Sequence, residues 1–178
     1  MADTAGLPVV VVVMGVAGSG KTTVGQRLAD ALGAAFEEGD DYHPAANVEK
    51  MRGGVPLTDA DRAPWLRRLA AGIDLWRDQG RRTVLACSAL KESYREVLIG
   101  RRHDVALVHL IGPEALIRMR LEARVGHYMP AQLLASQLAS LEPPGDAITV
   151  DVAPAPERIV EAILGRLGAW QRQSLQEE

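Results

Sequence analysis

An unbroken apolar run, Val9-Val10-Val11-Val12-Val13-Met14, passes directly into Gly15-Val16-Ala17-Gly18-Ser19-Gly20-Lys21-Thr22. The second segment fits G-x-x-x-x-G-K-[ST], between a strand apolar on both faces and a stretch of helical periodicity. Its glycines let the backbone turn tightly and aim successive N–H groups at one anion. The helix that begins near Gly20 adds the positive end of its dipole. Lys21 can reach β- and γ-phosphates, and the Thr22 hydroxyl suits a hard cation such as Mg²⁺. Gly15 through Thr22, with Thr23 beside them, are therefore expected to hold a nucleoside triphosphate.

The rest of the chain alternates strand and helix. Val24, Leu28, Ala31 and Leu32 repeat at helical spacing up to Gly33. Ala34–Glu38 is a weak second strand, followed by Gly39-Asp40-Asp41-Tyr42-His43-Pro44 and a short helix ended by Gly53-Gly54. Thr58-Asp59-Ala60-Asp61 has capping-box spacing, with Asp in place of Glu or Gln. The helix it opens carries Trp65, Leu66, Leu69, Ile73 and Trp76 on its apolar face, with Pro64 in its first turns. Thr83–Cys87, Val105–Ile111 and Ala147–Val150 read as further strands. Helices are expected around Tyr94–Leu98, from Pro113 to about Val125, from Pro130 to about Leu141, and from Pro156 to about Trp170. This order predicts one α/β domain, a three-layer α/β/α arrangement around a five-stranded parallel sheet, with a small helical lid over about 120–142. Residues 1–8 read as a loose arm and 171–178 as a frayed tail. Ligands then gather beyond the carboxyl ends of the strands.

Composition narrows the function. With 178 residues the chain can bury a sizeable core, and its net charge of −3 argues against an electrostatic grip on nucleic acid or an anionic membrane. The lone Cys87 excludes an internal disulfide, which favours a reducing, cytoplasmic setting. The start Met1-Ala2-Asp3 has no basic stretch of the signal-peptide kind, and no apolar run is long enough to cross a bilayer.

Two features separate this chain from other phosphate-loop proteins. Motor and helicase ATPases end a core strand in an acid, whereas the third and fourth strands here end in Cys87-Ser88 and His109-Leu110. No Asn-Lys-x-Asp segment for guanine is present. Acids instead follow the second strand: Glu38, Asp40 and Asp41. A carboxylate there can accept a proton from a substrate hydroxyl or orient water around Mg²⁺, while Asp41 equally suits a cap on the Pro44 helix. The second feature is Arg120 and Arg124, four apart on one helix face with no acid beside them. They read as a lid that closes over the triphosphate and stabilises the transferring phosphoryl group. Arg118, between Glu114 and Glu122, reads as a solvated ion-pair partner.

These segments, taken with Asn47-Val48-Glu49-Lys50-Met51, Pro56–Leu66, Cys87-Ser88-Ala89-Leu90-Lys91 with Tyr94-Arg95, Gly126-His127, Ser136-Gln137 and Leu141-Glu142, resemble the small P-loop gluconate kinases, relatives of shikimate and adenylate kinases. The resemblance runs from about Val10 to Leu164. Glu38 stands where relatives often have Asp, and Thr58 where Asn is common. The resemblance implies phosphorylation of D-gluconate at its 6-hydroxyl by ATP with Mg²⁺. It implies Lys21, Asp40, Arg120 and Arg124 as the catalytic set, and Thr22 with Glu38, through water, near the metal. Asp40, His43, Lys50, Ser88, Lys91, Arg95, Arg124, His127 and Gln137 are then the expected substrate contacts, with Lys50 the favoured partner of the acceptor's carboxylate, Arg95 a substrate clamp and Lys91 a weaker one. Cys87, Trp65 and Trp76 read as core. Oligomeric state is not legible in the residues; the resemblance alone implies a homodimer. The competing readings are a kinase for another hydroxy acid, such as shikimate, and a nucleotide-dependent regulatory module. Acceptor-stimulated ADP release separates the three.

Overall fold

The computed structural model describes residues 6–123 and 131–174. Its centre is β1 (Val10–Met14), every residue of which is fully buried. β1 lies between β3 (Thr83–Ala86) and β4 (Val105–Ile111), with β2 (Ala35–Glu38) and β5 (Ile148–Asp151) at the edges. All pairings are parallel, in the order β2-β3-β1-β4-β5, and Val12 stands opposite Leu85 on one side and Leu107 on the other.

Because successive side chains in a strand point to opposite faces, the valine run feeds two separate cores. Val10, Val12 and Met14 pack with Leu85 and Leu107 against Leu69, Ile73 and Trp76 of α3 (Asp59–Asp78) and Leu98 of α4 (Glu92–Leu98). Val11 and Val13 pack with Val84 and Val108 against Leu28 of α1 (Lys21–Leu32) and Ile163 and Leu167 of α7 (Pro156–Ser174). Sheet and helices thus form the expected three layers, and Trp65 and Trp76 are core residues, as is Cys87.

The edge strand β2 is less apolar because one side faces water. Its Glu37 pairs with Arg81 at 2.8 Å and accepts a hydrogen bond from the Tyr42 hydroxyl at 2.9 Å. That mixed character is why it reads weakly in the sequence. The strand stops at Glu38, and Gly39–Tyr42 form a single 3-10 turn, so Asp40 sits one turn past the strand end rather than on it. Neither acid of that turn caps α2 (Ala45–Arg52), whose N-terminal residue is Pro44 with no side-chain cap. The capping box predicted at α3 is present, with Thr58 Oγ1 accepting from the Asp61 N–H and an Asp61 carboxylate oxygen accepting from the Thr58 N–H.

A third apolar cluster positions the site. Val16 of the phosphate loop is buried with Leu90, with Ile117 and Leu121 of α5 (Glu114–Glu122), and with Leu134 of α6 (Ala131–Ser140). The short helices after β4 therefore rest directly on the loop. Arg124 and His127, assigned above to the lid, lie outside the described residues. Among the described residues no helix is long and apolar enough to cross a membrane.

One close backbone approach fixes where the acids emerge. A Cβ added to Gly39 would lie 2.5 Å from the carbonyl oxygen of Ala86 and 3.3 Å from Cys87 Cβ. Since the obstructing atom is backbone, Gly39→Ala must push β2 off β3. The expected cost is about 1–3 kcal/mol, seen in thermal unfolding as a Tm lower by roughly 2–10 °C. An unchanged Tm would show that the strands have slack here.

Candidate active site

The loop between β1 and α1 has the form an anion needs. Gly18 (φ 81°) and Gly20 (φ 93°) occupy the left-handed region, which strains any other residue. A Cβ on Gly18 would also lie 2.5 Å from Leu121 Cγ, so the loop is pressed beneath α5. No side chain caps the start of α1, and its first turn holds no acid. The uncompensated N–H groups and the positive helix end are left facing the loop. Lys21 folds back so that Nζ donates to the Val16 carbonyl at 3.1 Å. Across the loop, the Ala17 N–H donates to Gln137 Oε1 of α6 at 2.6 Å.

The acid that ends β2, Glu38, and the acid of the turn after it, Asp40, occupy different surroundings. Thr22 Oγ1 donates to Glu38 Oε2 at 2.6 Å, joining the first turn of α1 to the end of β2. Burial pushes the Glu38 carboxyl above its usual 4.5, and Asp40 adds to the rise; the Thr22 hydrogen bond and Lys21 oppose it. Asp40, by contrast, is exposed and lines a cavity of about 140 Å³ shared with Ala17, Lys21, His43, Ser88 and Gln137. The phosphate loop, the turn after β2, the loop after β3 and α6 meet there, with the end of α2 and the start of α3 closing the remaining wall.

His43 is held as a neutral group. Its ring stacks on Trp65 with centroids 4.2 Å apart and planes inclined by 14°, and burial lowers its pKa below 6.5, outweighing the opposing pull of Asp40. Asn47 Nδ2 lies 3.3 Å from His43 Nδ1 and also donates to the Asp61 carbonyl at 2.8 Å. That second bond orients the amide as donor, so Nδ1 accepts and the ring proton sits on Nε2, which is 3.8 Å from Asp40 Oδ1. Trp65 in turn donates from Nε1 to the Gly39 carbonyl at 2.7 Å, tying α3 to the turn that carries Asp40. Trp65 is thus a core residue that also orients the site.

The cations sort by partner. Lys50 is paired with Asp61 at 2.8 Å and does not line the Asp40 cavity. Lys91 is paired with Asp59 at 2.9 Å on the wall of an adjoining cavity of about 250 Å³. Arg95 is buried and donates from Nη1 to the carbonyls of Ala89 and Leu90, each at 3.0 Å. It braces the loop after β3, where Ala89 adopts φ 44°, and its outer side meets a different cavity with Glu92, Glu96 and Asp146. Arg118 pairs with Glu114, as its spacing predicted. Arg120 lines a cavity of about 260 Å³ with Gly18, Gly20, Thr23, Pro154 and Pro156. Burial drives the Cys87 thiol up to about 12, so it carries no charge near the site.

Two groups of lining residues were not singled out from the sequence. Arg62 borders both the Asp40 cavity and its neighbour, and it falls inside the Pro56–Leu66 block already noted. Pro154 and Pro156 border the Arg120 cavity; their only signal was a position just after a strand end.

An AAA domain family model matches residues 10–144. The gluconokinase of Gluconobacter oxydans is 51% identical over 163 residues, covering 88% of this chain and 90% of that protein. The crystal structure of a gluconokinase from Sinorhizobium meliloti superposes with a TM-score of 0.85 at 41% identity, covering 97% of this chain and 98% of the other. The APS kinase of Mycobacterium tuberculosis, at 18% identity and a TM-score of 0.68, shares the fold.

The environment of Glu38 has a pH-dependent consequence. Its folded pKa lies above 4.5, so the charged form costs stability at neutral pH, and the cost disappears as pH falls through the folded value. Glu38→Gln keeps an acceptor for Thr22 without the buried charge. Its Tm is expected to equal or exceed that of the parent at pH 7, with the pH-dependent part of the difference vanishing below 4.5. A lower Tm at pH 7 that recovers in acid would contradict this reading.

Proposed function

The chain belongs to the gluconokinase family, and on that premise we propose that it transfers the terminal phosphoryl group of ATP to the 6-hydroxyl of D-gluconate, giving 6-phospho-D-gluconate. The observation that carries this reading is that Asp40 and Lys21 border one cavity, with the phosphate loop on one side and the carboxylate on the other. A phosphate cradle alone fits a switch or a hydrolase. A solvent-facing carboxylate across a gap from the cradle fits transfer to an alcohol.

In this reading the loop amides, the α1 N-terminus and Lys21 hold the β- and γ-phosphates. Arg120, Thr23, Pro154 and Pro156 take the nucleoside side. Asp40 accepts the proton of the 6-hydroxyl as that oxygen attacks phosphorus. His43 donates from Nε2, and Ser88 offers its hydroxyl, to position neighbouring hydroxyls of the acceptor. Arg124 and His127 complete the lid, with Arg120 and Arg124 sharing the charge that builds on the phosphoryl oxygens. Gln137 leaves the Ala17 N–H when a phosphate oxygen competes for it, so α6 responds to nucleotide.

Mg²⁺ belongs to the same proposal. Among the described residues no group of three or more His, Cys, Asp or Glu side chains could hold a metal by itself. The Thr22–Glu38 pair nevertheless supplies the hard oxygen donors that suit Mg²⁺, which commonly takes one or two protein ligands and completes its shell with phosphates and water. When bound, the ion neutralises charge on the triphosphate. A reducing, cytoplasmic setting is also proposed, supported by the single cysteine being a buried free thiol.

The test is ADP release measured with ATP and a panel of acceptors. Gluconate is expected to stimulate release strongly and shikimate not to. Asp40→Asn is expected to lower kcat with gluconate by roughly 10²–10⁴-fold, while nucleotide affinity stays within about threefold (roughly 0.7 kcal/mol). Near-normal turnover of that variant would remove Asp40 from the chemical step. Nucleotide-dependent partner binding without turnover would favour a regulatory module.

A further inference from the structure

Arg62 differs from six other arginines of the chain in making no ion pair among the described residues. Arg27, Arg77, Arg81, Arg102, Arg118 and Arg158 each lie within ion-pair distance of a carboxylate. Arg62 is partly buried, and among the described residues no carboxylate oxygen lies within ion-pair distance of it. Its Nη1 donates to the Leu57 carbonyl, and its guanidinium carbon lies 5.7 Å from the centroid of the Tyr94 ring. A guanidinium has five N–H donors in a planar fork, so this arrangement leaves most of them unused. Withdrawing such a group from water without a counter-ion is costly.

Its position says what the counter-ion is. Arg62 borders the Asp40 cavity of about 140 Å³ and also the adjoining cavity of about 250 Å³. The second cavity holds two other charged groups, and they are matched to each other. Asp59 accepts from Lys91 Nζ at 2.9 Å and from the Tyr94 hydroxyl, and it attracts Arg62 only through space, without an ion-pair contact. Thr58, Ser136 and Ser140 supply hydroxyls on the same wall. The space beyond Asp40 is therefore polar and lined with hydroxyl partners, with one cation that makes no direct ion pair among the described residues.

We infer that Arg62 is the receptor for the carboxylate of the acceptor, so that an open-chain hydroxy acid lies with its hydroxyl end at Asp40 and its anionic end on this guanidinium. The inference rests on the proposed phosphoryl transfer and adds to it the group that selects acids over neutral polyols. It also displaces Lys50 from that role, because Lys50 is paired with Asp61.

The test compares D-gluconate with D-gluconamide, which keeps every hydroxyl and replaces the carboxylate by a neutral amide. For the unsubstituted chain, kcat/KM is expected to favour gluconate by roughly 10- to 100-fold, the size of one charged hydrogen bond. In Arg62→Gln that preference should collapse to within about threefold (roughly 0.7 kcal/mol), the loss on gluconate falling mainly in KM. Arg62→Lys, which keeps the charge without the fork, should retain part of it. Thermal unfolding and binding of an ATP analogue establish that each variant is folded; should Arg62→Gln fail to fold, Arg62→Lys decides. A preference that survives intact in a folded variant would overturn the inference. So would an equal loss on both acceptors carried by kcat, which would place Arg62 on the phosphoryl group. Failure of the parent reading looks different: the unsubstituted chain would then release no ADP in response to gluconate at all, and both would fall.

Discussion

The hydrogen bond from Thr22 to Glu38 is the joint on which the site turns. It connects the first turn of the helix behind the phosphate loop to the last residue of an edge strand two positions away in the sheet. Without that link the loop would still be a cradle for phosphate, but the acidic turn after β2 would have no fixed distance from it. The link is strong because it is charge-assisted and partly withdrawn from water. It is also conditional, since burial works against the charge that the bond requires. In the proposed reading a Mg²⁺ ion bound beside the pair would relieve that tension.

A second set of contacts builds the acceptor side from the first two turns of α3. Thr58 and Asp61 close the capping box, Asp61 takes Lys50 out of play, Arg62 turns into the cavities, and Trp65 supports both His43 and the Gly39 carbonyl. One helix start thus sets the position of a carboxylate, an imidazole and a guanidinium together. Helix termini suit this task because their side chains are already ordered by the cap, so little further entropy is lost on binding. The third apolar cluster does the same for the other wall, seating the loop residue Val16 under α5 and α6.

How much of this was legible in the residues depended on whether the signal was local. The valine run, the glycine pattern and the Thr58–Asp61 spacing are local, and the structure has β1, the phosphate loop and the capping box where they predict. The three layers follow from the alternation of strand and helix. What could not be read is pairing across the chain. Spacing alone makes Lys91 and Arg95 neighbours on one helix face, yet Arg95 turns inward to brace two carbonyls and Lys91 meets Asp59 from a helix 32 residues earlier. Lys50 is removed from the cleft by the same kind of long-range choice. Arg62 lies inside a block the sequence marks, but that it borders two cavities without a direct ion pair is visible only once the neighbours are folded around it.

The central claim is a direction: phosphate donor on the loop, acceptor hydroxyl at the turn after β2, and acceptor charge pointing away toward α3. A crystal structure of the chain with D-gluconate and a non-hydrolysable ATP analogue tests it most directly. The account predicts the 6-hydroxyl oxygen within hydrogen-bonding distance of an Asp40 oxygen, facing the terminal phosphate, with the carboxylate at the Arg62 fork. Gluconate bound in the reverse sense, or Asp40 turned from the acceptor while Glu38 meets the hydroxyl, would contradict it.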